Sequence, residues 1–135
     1  MINRVPNATI VRAAELVFTE AEKDGRDMAF AVVDEAAGLI YAIRDTGAAA
    51  RILTHAIRKA YTSATMRRDT ITFRDEDIDR DKTLADWGDP NLTHLVGGCV
   101  IRIGTEWFGG VGVGGNSTER DDELARLALE VLLGS

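Results

Sequence analysis

The sequence is poor in the residues that several common kinds of site require. It contains one cysteine, Cys99, which excludes an internal disulfide, and two histidines, too few for a dedicated zinc cage. Cys99 lies in the apolar run VGGCVIRI, where an inert buried thiol is the expected role. We therefore expect neither a disulfide nor a metal centre.

Long apolar runs and excess positive charge are also absent. No stretch is long enough to cross a bilayer, and the N-terminal twenty residues carry acids and a helical period instead of a signal-peptide core. The formal net charge is −6, which argues against a general electrostatic attraction to nucleic acid or anionic membranes. These features predict a cytoplasmic protein that binds neither nucleic acid nor membrane.

The remaining pattern predicts one α+β domain over residues 1–135, because 135 residues with 45% hydrophobic content can form one core. Helical and strand periodicities alternate along the chain. They predict helices at 7–23, 47–69 and around 124–132, strands at 28–35 and 39–45, short helical turns within 72–90, and two or three further strands within 93–115. The order indicates helices around an antiparallel sheet.

The glycine-rich stretch WFGGVGVGGNSTERD, at 107–121, precedes the last helix. Its alternating valines are typical of a strand, and its glycines would allow a helix or a second subunit to approach the backbone closely. Thr118 or Asn116 is the expected helix cap. An anion site at the helix start is disfavoured by its acids and by the lack of a P-loop lysine. We expect these glycines to shape the sheet and the wall of a cavity.

A row of polar side chains on the central helix is the stronger candidate site. Arg51, His55, Arg58 and Thr62 follow one another at spacings of four, three and four, so they share a helix face, with Lys59 at its edge. Such a row could receive a carboxylate, a propionate or the acidic 75–89 segment of the same or another chain. A solvated helix face paired with nearby acids is the alternative.

The two histidines are the candidate proton carriers, and His55 is also a possible axial ligand. His94 precedes Gly97 and Gly98, and the pattern leaves open whether it faces the same cavity as His55. If the chain is an enzyme, Asp45 or the backbone at the two glycines would orient the substrate. No nucleophile elbow, HExxH or CxxC motif is present.

Four segments in order resemble the GlcG/HbpS-like family, which includes the C-terminal domains of PduO-type proteins. They are AVVDEAAGLIYAIRDTGA, ARILTHAIRKAYTSA, G-G-x-x-I-R-x-G and GGVGVGG-x-x-x-x-x-D-x-x-x-A, and the likeness extends from about residue 10 to residue 133. The family's Lys-Ala-x-Thr-Ala motif corresponds here to Lys59, Ala60, Thr62 and Ser63-Ala64. Its glycine motifs correspond to Gly97-Gly98 and to Gly114-Gly115.

The resemblance implies a five-stranded antiparallel sheet flanked by helices, profilin- or roadblock-like, in the order α-β-β-α-(short α)-β-β-β-α. It implies a dimer, tetramer or octamer, and glycine segments beside a ligand cavity. Several members of the family bind haem, so haem is the cofactor that the resemblance suggests.

Three functions follow from these observations. The first is an oligomeric protein that binds haem or another anionic planar or carboxylate molecule through Arg51, His55, Arg58 and Lys59. The second is a metal-independent isomerase, hydratase or hydrolase that acts on a small carboxylate, with His55 or His94 as acid and base and Arg51 as anchor. The third is a non-catalytic accessory subunit, whose glycine strands and acidic segment contact only protein.

Overall fold

The computed structural model describes residues 4–134, which form four helices, a short 3₁₀ turn and one four-stranded sheet. Along the chain these are α1 (Asn7–Glu22), β1 (Ala29–Asp34), β2 (Leu39–Arg44), α2 (Ala50–Met66), α3 (Thr70–Asp79), the 3₁₀ turn (Leu84–Trp87), β3 (Gly98–Ile103), β4 (Glu106–Gly114) and α4 (Thr118–Leu132).

The sheet is antiparallel, with the strand order β2-β1-β4-β3. The expectation of five strands is wrong for the described residues, because the whole glycine-rich run from Glu106 to Gly114 forms one strand. β4 pairs with β1 on one side and with β3 on the other, so its glycines remain in the ladder and do not divide it. The α+β class with helices around an antiparallel sheet is confirmed.

The two faces of the sheet carry different side chains because alternate residues of a strand point in opposite directions. Phe30 and Val32 of β1 lie in the larger core, together with buried residues of α1 and α4. Ala29, Ala31 and Val33 point the other way and pack against alanines of α2. α2 therefore packs on one face, while α1 and α4 pack on the other.

α2 lies directly on the glycines of the central strand. A Cβ atom built at Gly112 would lie 2.0 Å from the carbonyl oxygen of Ala56, and one at Gly110 would lie 2.2 Å from that of Ala60. Since only hydrogen fits there, the glycines of β4 and the alanines of α2 together allow backbone-to-backbone packing. The prediction that the glycine-rich stretch shapes the sheet is confirmed.

The start of α4 is capped, although not by the predicted residues. Ser117 is the cap, and its Oγ accepts a hydrogen bond from the Arg120 N–H at 3.2 Å. Asn116 instead donates its backbone N–H to Asp121. The cap lies one residue from each prediction, which is the usual uncertainty of a helix end.

Candidate functional site

Arg51, His55 and Arg58 lie along one stripe of α2, as the periodicity predicts. Both arginines are exposed, and His55 is half-buried. Among residues 4–134, neither arginine forms a hydrogen bond or ion pair with an acid. We call these three residues the α2 row. The row is a cationic surface whose arginines have no acidic partner among the described residues, in a protein of net negative charge.

The imidazole of His55 is held in its neutral form. Burial lowers the pKa of His55 below its ordinary value, and the positive charges of Lys59, Arg51 and Arg58 lower it further. A lowered histidine pKa means that the ring is uncharged at neutral pH and keeps one nitrogen lone pair. His55, which lies between two arginines, can therefore accept a proton or bind a metal.

Lys59 does not belong to this exposed row, contrary to the prediction. Its side chain is buried, and Nζ donates to the carbonyl oxygen of Val113 at 2.7 Å and to Oδ2 of Asp121 at 3.2 Å. Burial lowers the pKa of Lys59 and raises the pKa of Asp121, while their mutual attraction opposes both shifts. The ammonium joins α2, β4 and α4 from inside the fold.

Thr62 and Asp45 also use their side chains within the fold. The buried Thr62 Oγ1 accepts the backbone N–H of Thr93 at 3.0 Å, and Asp45 Oδ2 accepts that of Met28 at 2.7 Å. Each side chain thereby fixes a neighbouring segment of backbone. Thr62 anchors the segment that leads into His94.

The four predicted ligand-binding glycines face protein atoms. Cβ atoms built at Gly97, Gly98 and Gly115 would lie 2.7 Å, 2.5 Å and 2.6 Å from backbone oxygens of neighbouring segments. At Gly114 the nearest atom, the carbonyl oxygen of Ile52, would be 3.3 Å away. Since each of these nearest atoms belongs to the chain itself, the observed role of these glycines is close packing.

His94 lies in a cluster that the sequence did not reveal. Its Nε2 is 2.6 Å from Oδ2 of Asp77, a carboxylate that is only 1% exposed. Trp87 Nε1 donates to both Asp77 oxygens, at 3.2 Å and 3.1 Å. The Phe73 ring is 5.3 Å from His94 and 5.7 Å from Trp87, between ring centroids. Both oxygens of Asp77 thus have hydrogen-bond partners, and the carboxylate fixes the orientation of His94.

Phe73 and Asp77 are four residues apart on α3 and so lie on one helix face, which is the one sequence signal for this cluster. This spacing lies in the polar segment 72–90, where the sequence predicted only short helical turns. The two histidines have separate neighbours in the part of the chain that the structure describes: cations for His55, a carboxylate and aromatic rings for His94.

Grooves occur elsewhere on the described surface. One, of about 330 Å³, is lined by Leu84, Ala85, Gly88, Asp89, Pro90 and Leu92. Asp89 also accepts a 2.6 Å hydrogen bond from the Tyr61 hydroxyl, which raises the pKa of Tyr61.

Burial raises the pKa of the Cys99 thiol, in agreement with the expected inert role. Over residues 4–134, no helix combines the length and apolar character that a membrane crossing requires.

Comparisons with known proteins agree with this fold. A family model described as "Haem degrading protein HbpS-like" matches residues 5–130. Among solved structures, a double mutant of Streptomyces reticuli HbpS is 29% identical, with a TM-score of 0.86 over 100% of this chain and 90% of that one. No curated protein matched the sequence.

Two further structures share the fold at lower identity. A Klebsiella pneumoniae protein named ORFY is 19% identical, with a TM-score of 0.84 over 100% of this chain and 99% of that one. A structure described as a PduOC:Heme complex is 17% identical, with a TM-score of 0.85 over 96% and 95% of the two chains. Because the family model covers nearly the whole sequence, the chain belongs to the HbpS-like family.

Proposed function

We propose that this protein binds a small anionic molecule, either haem or another planar or carboxylate-bearing compound, at the α2 row. The observation that carries the proposal is the pair of exposed arginines without acid partners on either side of a neutral histidine. Guanidinium groups bind carboxylates through two parallel hydrogen bonds. Arg51 and Arg58 are seven residues apart, about 10 Å along the helix, so they suit a ligand with separated anionic groups.

The polar groups of haem match the charged and polar side chains of the α2 row. Its propionates would meet Arg51 and Arg58, and the lone pair of His55 would face the iron, which supplies redox and ligand-binding chemistry when it is bound. The helix neighbours of His55 are mostly charged or polar, so the apolar faces of the ring need cover from another surface. We propose that a second subunit of a homo-oligomer provides that cover.

The first test is a haem titration of the purified protein, read at the Soret band. We expect saturable binding that Arg51→Gln or Arg58→Gln weakens by about tenfold, since each removes a charge-assisted hydrogen bond. His55→Ala should shift the band, because it removes the proposed iron ligand. Arg80→Gln, at another exposed arginine, is the control and should bind as the wild type does.

The outcome that contradicts the proposal is haem binding that no α2-row variant alters, or no binding of either haem or succinate by the folded protein. Binding of succinate without haem, lost in Arg51→Gln, would identify a carboxylate ligand and retain the site.

A second candidate function is acid–base catalysis on a small carboxylate, and the Asp77–His94 contact favours it. A buried carboxylate that also accepts the Trp87 indole N–H is acceptor-only when ionised, so Nε2 of His94 carries the hydrogen toward Asp77. In the neutral tautomer that donates from Nε2, Nδ1 keeps its lone pair. A histidine oriented by a carboxylate in this way is a common general base.

This second function predicts exchange of a C–H proton next to a carboxylate, measured by NMR as deuterium uptake from D₂O by oxaloacetate and related small acids. His94→Gln should slow enzyme-dependent exchange by about 100-fold or more. Asp77→Asn should slow it less, and His55→Gln should leave it unchanged. Equal exchange by wild type and His94→Gln would exclude His94 as the base.

A further inference from the structure

A second cationic cluster lies at the other end of α2. The guanidinium carbon of Arg67 is 5.1 Å from the ring centroid of Trp107, and that of Arg102 is 4.8 Å from the same centroid. Both arginines are exposed, while the indole is half-buried. We call Arg67, Arg102 and Trp107 the Trp107 cluster. Arg67 is nine residues beyond Arg58, the nearest member of the α2 row, or roughly 14 Å along the helix, so this cluster is separate from the α2 row.

Backbone irregularities place both arginines on the ring. Arg67 ends α2 in the left-handed conformation, with φ 55° and ψ 41°, a conformation that non-glycine residues seldom adopt. Arg102 is the cross-strand partner of Trp107, and the register of β3 and β4 shifts between Ile101 and Arg102. Helix ends and bulges of this kind redirect side chains, often at functional sites.

The charges of the cluster are not neutralised within the described residues. Neither Arg67 nor Arg102 pairs with an acid, whereas the neighbouring Arg68 forms an ion pair with Glu76. Glu106 is adjacent to Trp107 in β4, but successive strand residues point to opposite faces. Asp69 uses Oδ1 to accept the Val100 N–H and Oδ2 to pair with Arg126. Two cations therefore share one aromatic ring without a counter-ion.

We propose that the Trp107 cluster is a binding site for the phosphate group of a small molecule. The indole face attracts each guanidinium through a cation–π interaction and so orients it. The N–H groups at the edge of each planar fork remain available, and a phosphate dianion has enough acceptor oxygens to meet two forks at once. The site does not depend on the α2 row.

The test is a titration with pyrophosphate at constant ionic strength, followed by tryptophan fluorescence and by calorimetry. We expect saturable binding and a change in emission, because Trp107 contacts both binding residues. Trp87→Phe should retain the change and so assign it to Trp107. Arg102→Gln should weaken binding about tenfold or more.

Arg67→Gly separates binding from folding, because glycine adopts the left-handed conformation without strain. This variant should be at least as stable as the wild type and yet bind pyrophosphate about tenfold or more weakly. Arg80→Gln, at an exposed arginine outside both the Trp107 cluster and the α2 row, is the control and should bind it normally. Unchanged affinity in the combined Arg67→Gly and Arg102→Gln variant, or an equal response to sodium chloride alone, would overturn the proposal.

Discussion

Gly112→Ala should destabilise the fold by about 4 kcal/mol or more, a large part of the roughly 5–15 kcal/mol that stabilises a typical domain. The added Cβ would lie 2.0 Å from the Ala56 carbonyl oxygen and 2.8 Å from the Ala60 backbone nitrogen. Both atoms belong to the backbone of α2, so no change of side-chain rotamer relieves the overlap. Urea denaturation followed by circular dichroism would measure the loss.

The structure offers no easy movement that would make room. Gly112 pairs with Ala31 of β1 and with Gly98 of β3, so β4 cannot withdraw without breaking two ladders. α2 cannot rise without exposing the contacts of Ala60 and Ala64 with the sheet. Either adjustment removes packing or hydrogen bonds over several residues, which is why the expected cost exceeds the usual cost of overpacking, about 1–3 kcal/mol.

Gly114→Ala is the matched control, since it adds the same methyl group to the same strand. Its Cβ would lie 3.3 Å from the nearest atom, the carbonyl oxygen of Ile52, so a shift of a few tenths of an ångström suffices. We expect a loss of about 1 kcal/mol. If the two variants lose equal stability, backbone contact with α2 is not the reason for glycine at position 112.

Much of the fold could be predicted because local patterns determine it. The 3.6-residue period of Ala56, Ala60 and Ala64 indicated the face of α2 that packs on the sheet, and short apolar runs indicated β1 and β2. Whether residues 93–115 form two or three strands could not be predicted, because the glycines of β4 disfavour a strand locally. Pairing on both sides and close packing of α2 override that preference, and both are tertiary contacts.

The candidate sites also divide into features that local spacing predicts and features that only tertiary contacts determine. Helical spacing alone predicts the α2 row, since Arg51, His55 and Arg58 share one face. Spacing gives the direction of a side chain but not its depth, and Lys59 is buried because glycines leave space for it beside β4. The partner of His94 is seventeen residues away, and that of Lys59 is sixty-two residues away. No local pattern indicates either contact.

Asp121→Asn should lower the free energy of unfolding by about 3–5 kcal/mol, because it leaves the buried Lys59 ammonium without a counter-ion. Lys59→Met should cost a similar amount, since the Asp121 carboxylate would keep only the backbone N–H of Asn116 as a partner. The ion pair is almost fully buried, with side chains 4% and 6% exposed, so solvent screens these losses little. Urea denaturation of both variants would measure them.

The double variant Lys59→Met with Asp121→Leu tests whether the losses come from unpaired charge. Burial already disfavours both ions, as the lowered pKa of Lys59 and the raised pKa of Asp121 indicate. Removing both should therefore recover most of the stability, less about 1–3 kcal/mol for the carbonyl of Val113 and the N–H of Asn116 that lose their partners. Losses that simply add would show that the two residues act independently.

The pH dependence of the stability of Asp121→Asn tests separately how the Asp121 carboxylate affects the pKa of Lys59. Without the carboxylate, nothing opposes the effect of burial, so the pKa of Lys59 in the folded state should fall further below its unfolded value. Between those two pKa values the unfolded chain binds more protons than the folded one, so stability rises with pH. The variant should therefore regain stability as pH rises toward the ordinary lysine pKa, relative to the wild type. A constant difference between the two proteins across that range would mean that Lys59 reaches water when its partner is removed.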